Sequence, residues 1–389
     1  MTGAAEGVLA DLVAFPTVAG TSNGELIDYA AQRLQDAGAA VRVCEGARPD
    51  AHNLHAVLGP ADEPGLVLCA HTDVVAVDGQ SWSRDPFVLH AENGRLYSRG
   101  TADMKGFIAA LLTVAPELHP ASLRRPVHIV LSSDEELGCL GIRPLLPALA
   151  AAIRPPALTI VGEPTRLCVV ECHKGKIALR VQIRGRACHS SRAPEGVNAV
   201  EYGARLIAGL DRLRSELSAT RDERFAVPHA TVSTGPICGG TALNIVPDTC
   251  TFELEARLLP GQSGEGILAA VRAQAAALQA EMRRVAPEAE ITVTPVVDYP
   301  ALIGSAESAQ AGAVADWAGT SAGGAADYGT EGGLLEQTIG GTVVVCGPGD
   351  MAQAHRADEF IEADQLDGAV AFLGRLVRGY CGTALARDG

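Results

Sequence analysis

Acidic and imidazole side chains directly follow three apolar segments in the first half of the chain. His71 and Asp73 follow the first segment, Glu135 and Glu136 the second, and Glu163 the third. If the three segments are parallel strands of one open sheet, their carboxyl ends meet at the edge where ligands bind. The order of residues therefore predicts a cluster of acids and imidazole at one sheet edge.

Two further candidates lie outside these segments. Asp103 stands in the tight loop RGTADMKG just before a predicted helix, and His355 follows a Gly-Pro-Gly turn after the apolar run TVVVCGP. Together the positions offer two imidazoles and several carboxylates. This mixture of donors suits a pair of divalent metal ions, with zinc favoured and cobalt possible.

A pair of metal ions would give the cluster a hydrolytic chemistry. One carboxylate can bridge two ions about 3.5–4 Å apart, and a water held by them loses its proton near neutral pH. A further carboxylate must then stay off the metals and act as general base. Glu135 and Glu136 could divide these roles, because adjacent side chains point in different directions.

Each candidate also has an ordinary interpretation when taken alone. His71 could be structural, Asp103 could cap a helix, and Glu163 could simply end a strand before Pro164. The adjacent glutamates could form a solvated turn. The metal hypothesis is favoured because these separate explanations would have to coincide at one edge. No HExxH motif occurs, which excludes a zinc site of that helical type.

The hydrophobic pattern predicts an α/β fold around these residues. Buried strands are predicted at 65–75, 125–136 and 157–164, with a helix at 104–118 between the first two. A further strand is predicted at 342–348 and a terminal helix at about 363–380. Strands that alternate with helices indicate a mostly parallel, doubly wound sheet.

The pattern changes after Gly175, where apolar and polar residues alternate strictly through KIALRVQIRG. A helix (194–217), two strands (230–237, 250–258), a second helix (264–285) and a last strand (291–297) follow. The order β-α-β-β-α-β is that of a ferredoxin-like α+β unit. We therefore predict a discontinuous catalytic domain, residues 1–176 and 298–389, with an inserted domain at 177–297.

Composition narrows the class of protein. The chain has 389 residues, 47% hydrophobic and 20% charged, with 31 basic and 46 acidic residues and a net charge of −15. Such an acidic surface argues against nucleic acid as a partner. No apolar run approaches the roughly 20 residues of a membrane span, and the first residues lack the pattern of a signal peptide. We expect a cytoplasmic protein.

Seven stretches of the chain resemble a known family. They are CAHTDVV, SRGTADMKGF, SSDEELG, VGEPT, KGKIALRVQIRGRACHSSRAPEGVNAVE, TALNIVPD and CGPGDMAQAHRADEFI. In this order and spacing they are similar to the acetylornithine deacetylase/succinyl-diaminopimelate desuccinylase family of di-zinc hydrolases. The resemblance covers nearly the whole chain. It implies a catalytic domain with an inserted dimerisation, or lid, domain.

The resemblance also implies a role for each candidate. The implied metal ligands are Asp103 between the two zinc ions, His71 and Glu163 on one ion, and Glu136 and His355 on the other. Glu135 would be the general base, and Asp73 would hold the imidazole of His71 in place.

In the inserted domain the resemblance implies three more residues. His189 is similar to the histidine that reaches a partner subunit's site and stabilises the oxyanion. Asn244 and Arg257 are similar to groups that hold the substrate's α-carboxylate. A surface ion pair of Arg257 with Glu255 or Glu253 is the alternative.

The segment 321–333 resembles the loop that faces the substrate, and Gly324 is its candidate contact. Asp327 or Glu331 could meet a cationic substrate side chain. Two departures from the family pattern concern this region and His189: Cys188 replaces the usual glycine before the His-Ser pair, and Gly329 stands where a cysteine can occur. The second departure bears on the identity of the substrate.

The sequence thus predicts a homodimeric amidohydrolase that removes an acyl group from a small N-acyl-L-amino acid. N2-acetyl-L-ornithine, a substrate of arginine biosynthesis, is favoured. Acetylcitrulline, another N-acyl amino acid, succinyl-diaminopimelate or a dipeptide are the alternatives. A non-catalytic metal-binding or dimerisation module is the alternative from another class, and it is disfavoured because Glu135 and every implied ligand are present.

Overall fold

A computed structural model of the protein describes residues 2–304 and 308–382. Residues 1, 305–307 and 383–389, all in the predicted catalytic domain, lie outside the described residues. The described chain divides into two compact units. The second unit comprises His173–Ala301 and Ala325–Gly329, and the first unit comprises the other described residues. The predicted inserted domain, 177–297, lies inside the longer range of the second unit.

The described residues form nine α-helices, none of which is long and apolar enough to cross a membrane. The helices are α1 (Thr2–Val13), α2 (Gly24–Asp36), α3 (Gly106–Val114), α4 (Leu146–Ala152), α5 (Ala199–Ser218), α6 (Gly264–Met282), α7 (Ala309–Ala318), α8 (Gly332–Ile339) and α9 (Ala363–Val377). The strands are β1 (Ala40–Glu45), β2 (His52–Leu58), β3 (Pro64–His71), β4 (His90–Glu92), β5 (Arg95–Tyr97), β6 (Val127–Ser132), β7 (Arg154–Pro164), β8 (Val170–His173), β9 (Gly175–Arg184), β10 (Thr231–Gly239), β11 (Thr249–Leu258), β12 (Glu290–Tyr299), β13 (Gly324–Ala326), β14 (Thr342–Gly347) and β15 (Phe360–Glu362).

The first unit is built on an eight-stranded sheet with the order β1-β2-β6-β3-β7-β14-β8-β13. The central strands β6, β3, β7 and β14 are adjacent and parallel. β2 pairs antiparallel with β6, β1 with β2, and β8 with β14. The predicted α/β fold with a mostly parallel central sheet is confirmed, and its antiparallel strands lie toward the edges.

Helices cover both faces of this sheet, as a doubly wound fold requires. On one face, Leu66, Leu68 and Ala70 of β3 share a buried cluster with α1, α2, α3, α7 and α9. Val67 and Cys69 alternate with these residues along β3, so their side chains point to the other face; they are equally buried but do not belong to that cluster. On this other face α8 packs against β7 and β14 and contacts α4. Burial on both faces explains why these strands are continuously apolar in sequence.

The second unit contains a four-stranded antiparallel sheet with the order β10-β11-β9-β12. Its elements follow one another as β9, α5, β10, β11, α6 and β12, which is the predicted ferredoxin-like order. Alternate residues of β9, among them Ile177 and Leu179, are buried with Phe252 of β11 and with residues of α5 and α6. The strict alternation in the sequence thus reflects a sheet covered by helices on one face.

Two buried histidines form a contact between β2 and β6 of the first unit. His55 Nε2 lies 3.1 Å from His128 Nδ1, and the rings stack with centroids 5.3 Å apart. One nitrogen must donate and the other must accept, so the accepting ring must be neutral. Burial lowers the pKa of each histidine to about 4, with the charge of Arg42 adding to the effect at His55.

This pair should make the stability of the metal-free protein sensitive to acid. A histidine with a lowered pKa in the folded state stabilises the fold above its unfolded pKa of 6.5. We expect the free energy of unfolding to decrease as the pH falls from 6.5 to about 4, by at most roughly 3 kcal/mol for each ring.

Urea unfolding at a series of pH values measures the effect. The variant His55→Leu/His128→Leu should lose this part of the pH dependence. The control His119→Gln changes an exposed histidine and should keep it. Parallel curves for wild type and the double variant would contradict the assignment.

Candidate metal centre

The candidate ligands stand at the carboxyl ends of four neighbouring strands. His71 is the last residue of β3, and Glu163 lies one residue before the end of β7. Glu135 and Glu136 follow β6, and His355 follows β14. Because these four strands are adjacent and parallel, their carboxyl ends share one edge of the sheet.

Asp103 approaches the same edge from the turn Thr101–Lys105, which leads into α3 and in which the backbone of Asp103 is not helical. Its buried carboxylate has one oxygen, Oδ1, 3.0 Å from His71 Nε2, and the other, Oδ2, 3.1 Å from His355 Nε2. The two oxygens of the Asp103 carboxylate thus face two different imidazoles. This is the arrangement that a carboxylate bridging two metal ions requires.

The hydrogen bonds of His71 test whether a cation fits. His71 Nδ1 lies 2.8 Å from the carbonyl oxygen of Asp73, which can only accept, so Nδ1 carries a proton. In the neutral ring the lone pair is then on Nε2, which faces Asp103 Oδ1 and, at 3.7 Å, Glu163 Oε1. Lone pairs that face one another need a proton or a metal ion between them. The donor set fits a metal ion.

A second group forms around His355. Its Nε2 lies 3.0 Å from Glu136 Oε1 as well as 3.1 Å from Asp103 Oδ2. Potential ligand atoms of His71, Asp103 and Glu136 all lie within 4.8 Å of one another, and so do those of His71, Glu135 and Glu163. The structure therefore brings together all five residues proposed as metal ligands from the sequence.

The pKa values reflect the concentration of negative charge. Burial and the charge of Asp103 raise the pKa of Glu163 well above its usual range, and the same two causes raise the pKa of Glu136. Burial opposes ionisation of Asp103 too, but hydrogen bonds from His355 and His71 hold its pKa below the usual range. Hydrogen bonds to Asp103 and Glu136 raise the pKa of His355 to about 10. The cluster thus retains protons where cations are absent.

Glu135 is held next to this cluster by two neighbours. The backbone amides of Glu135 and Glu136 donate to the two carboxylate oxygens of Asp73, each at 3.1 Å. The buried thiol of Cys139 lies 3.2 Å from Glu135 Oε1 and donates to it. Burial raises the pKa of Glu135 to about 8. Asp73 thus contacts His71 Nδ1 through its backbone carbonyl at 2.8 Å and through Oδ1 at 3.6 Å, and its side chain also fixes the turn of the two glutamates.

Four predicted residues lie in the second unit, three of them in its longer range. His189 is exposed and its Nδ1 accepts from the amide of Ser191 at 3.2 Å, while the carbonyl of the exposed Asn244 accepts from the amide of Ser190 at 3.0 Å. His189 and Asn244 thus lie on neighbouring segments. Arg257 donates through Nε to Glu255 Oε1 at 3.2 Å, which is the alternative ion pair considered above.

Asp327, also in the second unit, already has a cationic partner. Its Oδ1 lies 2.9 Å from Nζ of the buried Lys174, which donates to the carbonyls of Val227 and His229 as well. Asp327 therefore serves as a counter-ion for a lysine of the protein.

The other candidates of the segment 321–333 are in the first unit. Glu331 is only 1% exposed and its Oε2 accepts from Ser132 Oγ at 2.9 Å and from Cys69 Sγ at 3.3 Å. Burial raises its pKa to about 7. Gly324 is half-buried in β13 and donates its amide to the carbonyl of Val169 at 3.2 Å. Glu331 thus lies in the interior, where it is bonded to Cys69 of β3 and Ser132 of β6.

The departure at Gly329, in the second unit, has a steric cause. A Cβ atom at this position would lie 2.2 Å from the ring of Tyr299 and 2.7 Å from the carbonyl oxygen of Lys174. Both distances are too short for a carbon contact, and the second partner is backbone. With Tyr299 in place, only glycine fits here.

Sequence reasoning missed three residues near the centre. They are Cys139, beside Glu135, Glu359, which accepts from the amide of Asp103, and Arg99, which pairs with Glu359. Arg99 and Glu359 both occur in stretches that carry the family resemblance, but 260 positions separate them. Spacing along the chain therefore offered no reason to pair them.

Comparison with known sequences places these observations in a family. Residues 67–379 match the model of peptidase family M20/M25/M40. An acetylornithine deacetylase of Myxococcus xanthus is 34% identical over 380 residues, covering 96% of this chain and 97% of that protein. An acetylornithine deacetylase of Vibrio atlanticus (strain LGP32) is 32% identical over 370 residues, covering 92% of each. The family resemblance seen in the sequence is confirmed.

Solved structures share the fold. The M20 family metallo-carboxypeptidase Sso-CP2 from Sulfolobus solfataricus has a TM-score of 0.78 at 18% identity and covers 96% of this chain and 98% of that chain. The YXEP protein of Bacillus subtilis, a dinuclear metal binding peptidase, has a TM-score of 0.69 at 15% identity and covers 98% of this chain and 99% of that chain. The prediction of a hydrolase that acts on amide bonds is confirmed, and the chain belongs to peptidase family M20/M25/M40.

Proposed function

We propose that the protein is a metal-dependent amidohydrolase that removes the acetyl group from an N-acetyl-L-amino acid. The observation that carries the proposal is the carboxylate of Asp103, whose two oxygens face His71 and His355 separately. N2-acetyl-L-ornithine is the favoured substrate because the two sequence relatives named above are acetylornithine deacetylases. Release of L-ornithine would be a step of arginine biosynthesis. A location in the cytoplasm is a further part of the proposal.

The proposed centre holds two divalent ions per subunit. His71, Asp103 and Glu163 would bind one ion, and Asp103, Glu136 and His355 the other. Mixed nitrogen and oxygen donors favour zinc, and cobalt accepts the same ligands. When bound, the ions would polarise the scissile carbonyl and lower the pKa of the attacking water.

Glu135 is the proposed general base. Its backbone is fixed by Asp73, and the thiol of Cys139 orients one carboxylate oxygen. The free oxygen of Glu135 would take a proton from the attacking water and deliver it to the departing amine. Burial keeps the pKa of this carboxyl near 8 in the metal-free protein, and neighbouring cations would favour the ionised form that a base requires.

The second unit would supply the substrate contacts. His189 would donate a hydrogen bond to the oxyanion formed when water adds to the amide carbonyl. Asn244 and Arg257 would hold the α-carboxylate, with Arg257 exchanging its partner Glu255 for the substrate. A bidentate guanidinium–carboxylate contact is a strong way to fix that end of the substrate.

A homodimer is part of the proposal. Ile237, Leu243 and Ile245 expose 52%, 102% and 41% of their surface, and Ile245 bridges to His189. Leu243 and Ile245 lie two positions apart along the chain, and exposed large apolar side chains near one another are typical of protein contacts. A second copy of the chain that covers them would bring its own site close to His189, as the resemblance implies.

Two acidic residues bear on the choice between acetylornithine and its alternatives. Asp327 neutralises Lys174, and Glu331 is buried and bonded to Ser132 and Cys69. An ornithine ammonium group would have to compete with Lys174 for Asp327, whereas a neutral side chain would not. Acetylcitrulline, other N-acyl amino acids, succinyl-diaminopimelate and dipeptides are therefore the substrates to compare directly.

Hydrolysis of a substrate mixture by the zinc-loaded protein tests the proposed activity. The mixture contains acetylornithine, acetylcitrulline, acetylmethionine, succinyl-diaminopimelate and a dipeptide, and mass spectrometry follows the products. We expect ornithine to be released first and a chelator to stop the reaction. Faster turnover of another member would reject acetylornithine but keep the mechanism. Absence of any turnover by protein carrying two ions would contradict the deacetylase assignment.

Substitution of Glu135 should separate metal binding from catalysis. An amide cannot accept the proton from water, so we expect Glu135→Gln to bind both ions while kcat falls by about 10²–10⁴-fold. The adjacent Glu136→Gln, a proposed ligand, is the matched comparison and should lose metal as well as activity. Metal analysis and steady-state kinetics distinguish the two. A Glu135→Gln protein with near wild-type kcat would remove this residue from the role of base.

Mixing two inactive variants should reveal whether His189 acts across a dimer. We expect His189→Ala and Glu135→Gln each to be nearly inactive as homodimers. After subunit exchange, half of the molecules are hybrids with one complete site, so about a quarter of wild-type activity should return. If activity does not return although hybrids are detected by native mass spectrometry, His189 acts within its own subunit or not at all.

A further inference from the structure

Arg99 and Glu359 form a buried ion pair in the first unit that the proposed reaction does not use. Arg99 Nη1 lies 2.6 Å from Glu359 Oε2, and both side chains are 1% exposed. Arg99 lies two residues before the turn Thr101–Lys105, and Glu359 comes directly before β15. Few arginines and glutamates are buried so completely, so this pair calls for a physical explanation.

The second oxygen of Glu359 holds the backbone of the segment that carries Asp103. Oε1 accepts hydrogen bonds from the amides of Ala102 at 2.9 Å and Asp103 at 3.1 Å. These two bonds fix the peptide from which the Asp103 side chain projects. The direction of the Asp103 carboxylate toward His71 and His355 thus depends on an acceptor at this position.

Arg99 extends the same network to the segment of His355. Its Nη1 also donates to the carbonyl of Arg356 at 3.3 Å, and its Nη2 donates to Gln80 Oε1 at 2.5 Å. Gln80 Nε2 in turn donates to the carbonyl of His355 at 3.0 Å. One guanidinium group therefore connects the backbone on both sides of the contact between Asp103 and His355.

Stability alone does not account for such a pair. Two apolar residues of similar volume would avoid the cost of removing both charges from water, and replacements of that kind are often neutral or stabilising. What apolar residues cannot supply is an acceptor for two amides and a donor for the carbonyl of Arg356 and the side-chain oxygen of Gln80. The network orients backbone rather than filling space.

We propose that Glu359 and Arg99 are positioning residues that hold Asp103 and His355 in the geometry needed to bind two metal ions. The inference rests on the proposed function, since it concerns the same metal centre. Glu359 acts through the amides of Ala102 and Asp103, and Arg99 orients Glu359 and the segment of His355. Loss of comparable residues around metal ligands typically weakens metal affinity by about 10–100-fold.

Two double variants separate the acceptor from the charges. Arg99→Met/Glu359→Gln removes both charges but keeps a side-chain oxygen for the two amides. Arg99→Met/Glu359→Met is equally uncharged and similar in volume but offers no acceptor there. We expect zinc affinity, measured by chelator competition, to fall by a few-fold in the first variant, because it lacks the donors of Arg99, and by about 10–100-fold in the second.

A stability control excludes a general effect of a weakened fold. Leu366→Ala opens a cavity in α9, where Leu366 is 1% exposed, and should lower the urea midpoint without changing zinc affinity. If the methionine pair does not fold, Gln80→Ala removes the link between Arg99 and the carbonyl of His355, together with the contact to Trp82. We expect that variant to weaken zinc binding by a few-fold.

The outcomes distinguish the inference from the proposed function. Equal zinc affinity of the two double variants, or an equal loss in Leu366→Ala, overturns the positioning role while two ions still bind to the wild type. If the methionine pair does not fold and only Gln80→Ala can be measured, a zinc affinity equal to that of the wild type overturns the positioning role. Failure of the wild type to bind two ions overturns the proposed function and the inference with it.

Discussion

Mutual repulsion among buried carboxylates is the constraint on which the rest of the first unit depends. Asp103 and Glu163 are 5% and 4% exposed. Glu136 is close enough to repel both: in addition to burial, the charge of Asp103 raises the pKa of Glu136, and that of Glu136 raises the pKa of Glu163. Removing such groups from water is costly unless cations or hydrogen-bond donors replace the solvent. The protein supplies the imidazoles of His71 and His355 to these carboxylates. Two divalent ions would complete the compensation, so metal binding and the arrangement of this sheet edge are parts of one electrostatic balance.

The backbone near the centre shows how that balance is achieved. Asp134, Cys139 and His355 have φ values of 50°, 55° and 62°, in the left-handed region that residues other than glycine rarely adopt. Such positions persist only where surrounding contacts compensate for them. For Asp134 the compensation is visible: its carboxylate accepts from the amide of Gly20 at 2.9 Å and pairs with Arg48 at 2.8 Å.

The sequence was informative where one local rule decided the structure. Continuous apolar runs ending in polar residues predicted parallel strands with a shared ligand edge, and the neighbouring strands β6, β3, β7 and β14 have that arrangement. Contacts between distant segments followed no local rule. The amides of Glu135 and Glu136 bind the side chain of Asp73, and Glu359 binds the amide of Asp103. Such contacts depend on tertiary packing, which periodicity and spacing do not encode.

Two acidic residues of the segment 321–333 have partners within the protein. From the sequence, Asp327 or Glu331 could meet a cationic substrate side chain. In the structure Asp327 pairs with Lys174, and Glu331 is buried and bonded to Ser132. A metal centre requires many groups at one place, so chance agreement is rare. A substrate side chain can be recognised by one or two contacts, and a single lysine or a steric pair such as Gly329 and Tyr299 can alter them. Identity of 32–34% to acetylornithine deacetylases therefore supports the hydrolytic chemistry more strongly than the choice of amino acid.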